Sequence, residues 1–118
     1  MQRRHFLSTV AAAAAVSVSG MAMAQDTRPL RIIVPFPAGG STDMVPRNLQ
    51  DVLGKLLGQP VIIENKAGAG GSIGMAEVAR STDGLTFGIA TLSTHGVNPA
   101  VYTKLPYNAI EDFVGVTE

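Results

Sequence analysis

The sequence predicts an α/β fold built on a parallel sheet, and three observations predict it. Short β-branched apolar runs recur at Leu30–Phe36, Val61–Asn65 and Leu85–Thr91. Each is followed by a loop rich in glycine or small polar residues, "PFPAGGSTD", "KAGAGGSIG" and "LSTHGVNP". Each loop leads into a stretch with helical spacing or helix-start chemistry. Strands alternating with helices build a parallel sheet through right-handed crossovers. Strands buried on both faces read as continuous apolar runs.

The first strand, "LRIIVPF", is bounded by Pro35 and Pro37. The helix after it carries Val45, Leu49, Val52, Leu53, Leu56 and Leu57 at the spacing of one apolar face. Gly58 suits the C′ position and Pro60 blocks continuation. Interior Gly54 costs roughly 1 kcal/mol relative to alanine. Two starts are open. With Asp43 as N-cap, Pro46 stands at N3 and loses no bond. With Ser41 as cap, one bond is lost. The second strand, "VIIEN", precedes a short helix, "SIGMAEVARS", with Ile73, Ala76 and Ala79 on one side. "TDG" at Thr82–Gly84 is a turn. After the third strand, Asn98 and Pro99 suit the cap and N1 of another short helix. A helical turn is expected at Ala109–Phe113, and "VGVTE" reads as the opening of a fourth strand.

Residues 1–24 read as a cleaved export signal. Arg3 and Arg4 open it, an alanine- and valine-rich run follows over Phe6–Val18, and "AMA" at Ala22–Ala24 ends it with small residues. Ser17, Ser19 and Gly20 interrupt the run, which falls short of the ~20 residues a membrane span needs. "RRHFL" also resembles a twin-arginine signal, so ordinary and twin-arginine export both stay open. The chain has no cysteine, which excludes disulfides, thiolate metal sites and a lipoprotein anchor. After residue 24, seven basic residues stand against nine acids, a formal charge of −2. No basic patch points to nucleic acid. The 94 residues left suffice for one small domain, 25–118.

The glycines of "KAGAGGSIG" do not make a nucleotide fingerprint. Counting from Gly68, the third glycine of G-x-G-x-x-G falls on Ile73, and Lys66 precedes the glycines instead of following them. A nucleotide-binding α/β enzyme is therefore the weakest reading. The underlying physics still applies. Glycine lets backbone approach a ligand, and N–H groups at a helix start favour an anion. Three such loops at the C-terminal ends of parallel strands form a crevice where open α/β sheets bind ligands. A crevice lined by backbone donors and few charged side chains suits a small carboxylate. One glycine loop alone is more simply a tight turn. Two, with a polar third, favour a binding site.

The same residues carry a resemblance. "IIVPFPAGGSTDMVPR", "LLGQPVIIENKAGAGGSIG" and "DGLTFGIATLSTHGVNPAVYTKLPYNAIEDF" resemble, in order, the N-terminal part of the Bug receptors, the extracytoplasmic solute receptors of tripartite tricarboxylate transporters. The resemblance covers nearly all of 30–117. It implies a periplasmic-binding-protein-like fold of two α/β lobes, of which this chain holds part of the first. It implies a receptor rather than an enzyme, with no cofactor and no metal. Its ligand would be a small organic acid, passed to the membrane subunits of the transporter. Matched residue by residue, Phe36, Pro37, Gly39, Gly40 and Asp43 fall on the first binding loop, Gly70 and Gly71 on the second, and Ser93, Thr94 and Asn98 on the third. Backbone N–H groups and water would hold one carboxylate.

The sequence departs from the pattern at Pro46, where the family has a small helix former, and in length, since a second lobe and a returning chain are absent. A truncated receptor with little carboxylate affinity of its own is the first expectation. A remnant that self-associates through its open sheet edge is the second. Asp43 is read as a helix cap, or else as a group for a ligand amine or water. His95 is read as a packing or hydrogen-bonding group, because its one histidine companion is His5 in the signal. Ser93 has no acid and histidine at hydrolase spacing. Tyr102, Tyr107 and Phe113 read as core aromatics, and Lys66 as solvated.

Overall fold

The computed structural model describes residues 28–117. The expected export signal at 1–24 lies outside them, and among the described residues no helix is long and apolar enough to cross a membrane. Three strands, β1 (Leu30–Val34), β2 (Val61–Asn65) and β3 (Thr86–Gly88), form a parallel sheet in the order β2-β1-β3. Arg31 aligns with Ile62 on one side and with Thr86 on the other. The predicted parallel α/β architecture is therefore the one observed. β1 is the central strand, and Ile33 and Val34 in it are fully buried.

The helix α1 (Ser41–Leu57) crosses from β1 to β2, and α2 (Ser72–Arg80) crosses from β2 to β3. They lie on opposite faces. Arg31 reaches Glu77 of α2, whereas Asn65, the partner of Val34 on the other face, bonds Asp43 and Arg47 of α1. Alternation along a strand requires this division. Opposite faces follow from right-handed crossovers running in opposite directions across the sheet.

Several local expectations need correction. Neither Asp43 nor Ser41 caps α1. Gly40 is the N-cap, in extended backbone, and Pro46 lies inside the helix, buried. With Ser41 as the first helical residue, Pro46 lacks the N–H that would reach the Thr42 carbonyl. The C-terminal reading holds, with Gly58 left-handed at φ 65°. In α2 the buried side is Ser72, Gly74, Met75 and Ala76, and Ile73 is exposed. Ile73 instead covers Gly68 in its own loop. The third loop is helical rather than irregular, running through a π-helical stretch at Leu92–Val97 into α3 (Asn98–Val101). Asn98 is the first residue of α3, not its cap. At Ala109–Phe113 the chain makes a turn held by Asn108, whose Oδ1 accepts from the Ile110 and Glu111 N–H groups. The following residues, 114–117, form no strand. Lys66 is not simply solvated, because its ammonium stands 3.5 Å from Glu77 and 3.7 Å from Glu64.

The apolar face of α1 is exposed. Val45, Leu49, Val52, Leu56 and Leu57 have helical periodicity yet are about half exposed or more, up to 77% at Leu56. The helix seats on β2, where Gln50 donates to the Val61 carbonyl. Among the described residues nothing covers its apolar side. The buried cluster of Met75, Ala76 and Tyr107 lies instead on the α2 side, with Leu105, Ala109 and Phe113 against it. An apolar face of this kind drives association, and β2 and β3 both offer open edges. The chain is expected to self-associate with rising concentration in sedimentation velocity. Leu49→Lys combined with Leu56→Lys should reduce that association without lowering the melting temperature. Unchanged association in this variant would point to the sheet edges instead.

Candidate functional site

Parallel strands put the loops after β1, β2 and β3 at one end of the sheet. The loops are Pro35–Gly40, Lys66–Gly71 and the stretch from Ile89 into Leu92–Val97. The sheet bonding runs into them, since Lys66 N–H donates to Val34 and Ile89 N–H to Ile33. Three further sets of contacts join them to each other.

The first set centres on Asp43, which is 2% exposed. Its Oδ2 accepts from the Gly39 N–H at 2.9 Å and from Arg47 Nε at 2.7 Å, and its Oδ1 accepts from Asn65 Nδ2 at 2.9 Å. Asn65, the last residue of β2, also donates to the Phe36 carbonyl and accepts from Arg47. One buried carboxylate thus ties the first loop to the start of the second. The Arg47 hydrogen bond, then the Gly39 N–H and Asn65, hold the Asp43 carboxyl down to about 2. The charge is thereby compensated by Arg47, so Asp43 does not face a ligand as a free anion.

The second set centres on Asn98, 4% exposed. Its Nδ2 donates to the Gly70 carbonyl at 2.9 Å and to Ser72 Oγ at 3.2 Å, joining the third loop to the second. The third set is steric. A β-carbon on Gly71 would lie 2.7 Å from Thr94 Cγ2, 3.3 Å from Pro35 Cβ and 3.4 Å from Phe36 Cζ. Gly71 is therefore the point where all three loops meet, and its φ of 90° also requires glycine.

Thr94 is fully buried beneath the third loop. It exchanges hydrogen bonds with Thr91 and lies 2.9 Å from His95 Nδ1, and its carbonyl accepts from the Tyr107 hydroxyl. His95 packs edge-on against Phe113, with ring centroids 4.8 Å apart, and burial pushes its pKa down. It is a packing and hydrogen-bonding group, as the sequence suggested. Among the described residues no group of three His, Asp or Glu side chains is placed to hold a metal ion.

The ten residues singled out from the sequence thus gather at one end of the sheet but divide into two layers. Phe36 is half-buried, and Pro37, Gly39, Gly40, Gly70 and Ser93 are exposed at the mouth. Asp43, Gly71, Thr94 and Asn98 are buried behind it and hold the loops together. The N–H groups of Ser41 and Thr42, in the first turn of α1, have no backbone partner among the described residues. Nearby basic side chains are engaged: Arg47 with Asp43, and Arg31 and Lys66 with Glu64 and Glu77. The mouth thus offers backbone N–H groups rather than a free cation. Sequence reasoning missed Asn65 and Arg47. Arg47 was findable as the i+4 partner of Asp43. Asn65 carries no local signal, because its partners lie on other elements.

Comparison with known proteins adds a family. The family model described as "Tripartite tricarboxylate transporter family receptor" matches residues 45–118. Protein BugT of Bordetella pertussis is 42% identical over 114 residues, which is 95% of this chain and 34% of that protein. Among solved structures, MatC from Rhodopseudomonas palustris, determined with bound malate, is 42% identical with a TM-score of 0.69, covering 75% of this chain and 30% of MatC. A second R. palustris protein, determined with adipate, is 38% identical with a TM-score of 0.66, over 71% of this chain and 28% of its own. The chain therefore spans about a third of the length of the relatives it matches.

Proposed function

Since the chain belongs to the tripartite tricarboxylate transporter receptor family, we propose that it supplies one side of a periplasmic cleft for small organic acids and hands them to the transporter's membrane subunits. The observation that carries this is the convergence of three interlocked loops at the C-terminal ends of parallel strands, with the nearby charged side chains paired. A carboxylate at that mouth would be held by N–H groups of the first turn of α1 and by the exposed loop backbone, directly or through water. Malate and adipate, bound by two relatives, differ in length and polarity. A backbone-based site for the shared carboxylate, with the rest of the ligand left to other contacts, accommodates both. Binding without chemistry fits a mouth where His95 is turned into an aromatic cluster and Ser93 has no base. The apolar side of α1 supports self-association as a second property of the isolated chain, compatible with the first.

The test is a titration of the chain with malate and adipate, followed by calorimetry and by amide shifts of loop residues. Affinity in the millimolar range is expected, because one side of a cleft makes only part of the contacts and cannot close over the ligand. The shifts should be confined to the three loops. Micromolar affinity would show that the three loops suffice alone. No shift with either acid, or shifts with a nucleotide instead, would overturn the carboxylate reading.

A further inference from the structure

The sheet has two open edges, β2 and β3, and along each the backbone groups point alternately in and out. Leu30 N–H donates to the Pro60 carbonyl and Lys66 N–H to that of Val34, so Pro60, Ile62, Glu64 and Lys66 turn their backbone groups to β1. Val61, Ile63 and Asn65 turn theirs outward. On the other side Arg31 N–H donates to Leu85 and Ile89 N–H to Ile33, which turns Thr86 and Gly88 outward. On both edges a side chain takes one of the outward groups. Gln50 Nε2 donates to the Val61 carbonyl at 2.8 Å, and Asp83 Oδ1 accepts from the Thr86 N–H at 3.0 Å. An open edge strand is a template for another chain, and covering its polar groups blunts it.

The two edges differ in what stays open. β3 has three residues and offers Gly88 beside the taken Thr86. β2 has five, and among the described residues the N–H and carbonyl of Ile63 and the N–H of Asn65 have no partner. β2 is also self-complementary. About a two-fold axis through Ile63, a second β2 runs antiparallel and sets Ile63 against Ile63, Val61 against Asn65 and Ile62 against Glu64. All five residues pair, and no like charges meet. An axis through Glu64 would set that charge against itself. Beside Val61 an open cleft of about 520 Å³, lined by Gln50, Asp51, Gly54 and Lys55, leaves room for the end of the incoming strand. In this register the Val61 carbonyl is the outward group already engaged. We propose that the outer edge of β2 is a latent pairing surface for a second copy of this chain, held shut by the Gln50 side chain. It needs neither a carboxylate ligand nor the apolar side of α1. Pairing must first break the Gln50 bond in each copy, which keeps unmodified chains apart along this edge.

Gln50→Ala tests this in a chain that also carries Leu49→Lys and Leu56→Lys, so that association through α1 is suppressed. In sedimentation velocity, dimers should form at about tenfold lower concentration than without Gln50→Ala, the effect of two freed carbonyls. Amide exchange at Ile63 and Asn65 should slow as concentration rises. Gln59→Ala, in the same cleft but bonding no outward group, should change neither. The register is read by crosslinking, since the chain has no cysteine of its own. Ile63→Cys should link two copies on air oxidation, because a hydrogen-bonded antiparallel pair sets its Cα atoms about 5.5 Å apart, within disulfide reach. Ile62→Cys, diagonal to its copy at roughly 7–8 Å, should not. Without Gln50→Ala, the Ile63→Cys link should form several-fold more slowly. Association unchanged by Gln50→Ala, protection at Gly88 in place of Ile63, or a link through Ile62→Cys and not Ile63→Cys would each overturn the proposal.

Discussion

Gly74→Ala will destabilise the chain by about 2 kcal/mol, the usual cost of forcing a carbon into a packed site, and the loss will appear as a lower urea midpoint. Gly74 lies in the first turn of α2 with ordinary helical backbone, so alanine there would normally be favourable. Tertiary contact reverses the sign. The added carbon would stand 2.9 Å from the Lys66 carbonyl oxygen and 3.1 Å from Pro35 Cα and Cβ. Both neighbours include backbone, which cannot rotate away as a flexible side chain can. Relief requires α2 to move off the first loop, which also pulls Gly71 from its seat between Thr94 and Phe36. Amide shifts of Pro35-adjacent residues and of Thr94 should therefore change together with stability. A variant as stable as the parent would mean that α2 docks more loosely than the distances state.

Asp43→Asn will remove an acid-sensitive part of the stability and loosen the first loop. The Asp43 carboxyl titrates near 3.8 when unfolded and at about 2 when folded. The ionised form is thus favoured by folding. Its contribution is complete above the unfolded value and disappears as pH falls from there through the folded one. The melting temperature of the unmodified chain should fall relative to that of the variant between about pH 4.5 and 2, and the two should run parallel above that window. Glu64 and Asp83 also have lowered values, from Arg31 and from the Leu85 N–H respectively. The difference between the two chains removes these shared contributions. At neutral pH the asparagine has one acceptor oxygen for two positions, so its NH2 group faces either Asn65 Nδ2 or the Gly39 N–H and Arg47 Nε, donor against donor. Faster exchange of the Gly39 amide is the expected sign. Parallel melting profiles throughout would show that Asp43 does not hold the loop.

How far the candidate site could be read from the sequence depends on the range of the interactions. The three loops and their positions follow from strand-loop-helix alternation, a short-range pattern. The ten residues drawn from the resemblance do gather at one end of the sheet. Their division into an exposed mouth and a buried support could not be read, because it depends on partners far along the chain. Asn98 is the clearest case. Next to Pro99 it reads as a helix cap, yet its amide reaches back to Gly70, 28 positions away. Tyr102 reads as a core aromatic and stands at the mouth, because α3 is only one turn long and directs it toward Gly70 rather than toward the sheet.

The sequence by itself determined the parallel α/β class, the limits of most elements within a few residues, the family and the position of the glycine loops. These rest on apolar periodicity, turn chemistry and local motifs, each complete within a few residues of chain. Only the tertiary structure decided which face of each helix is buried. The apolar side of α1 is strongly periodic yet stays exposed, because burial needs an opposing surface and periodicity only offers one to be covered. The structure alone also decided that Asp43 is neutralised by Arg47 rather than presented to a ligand, and that Gly71 and Gly74 exist for close approach between loops. A hydrogen bond or a steric limit between distant segments is a property of their meeting, and no local stretch of sequence contains it.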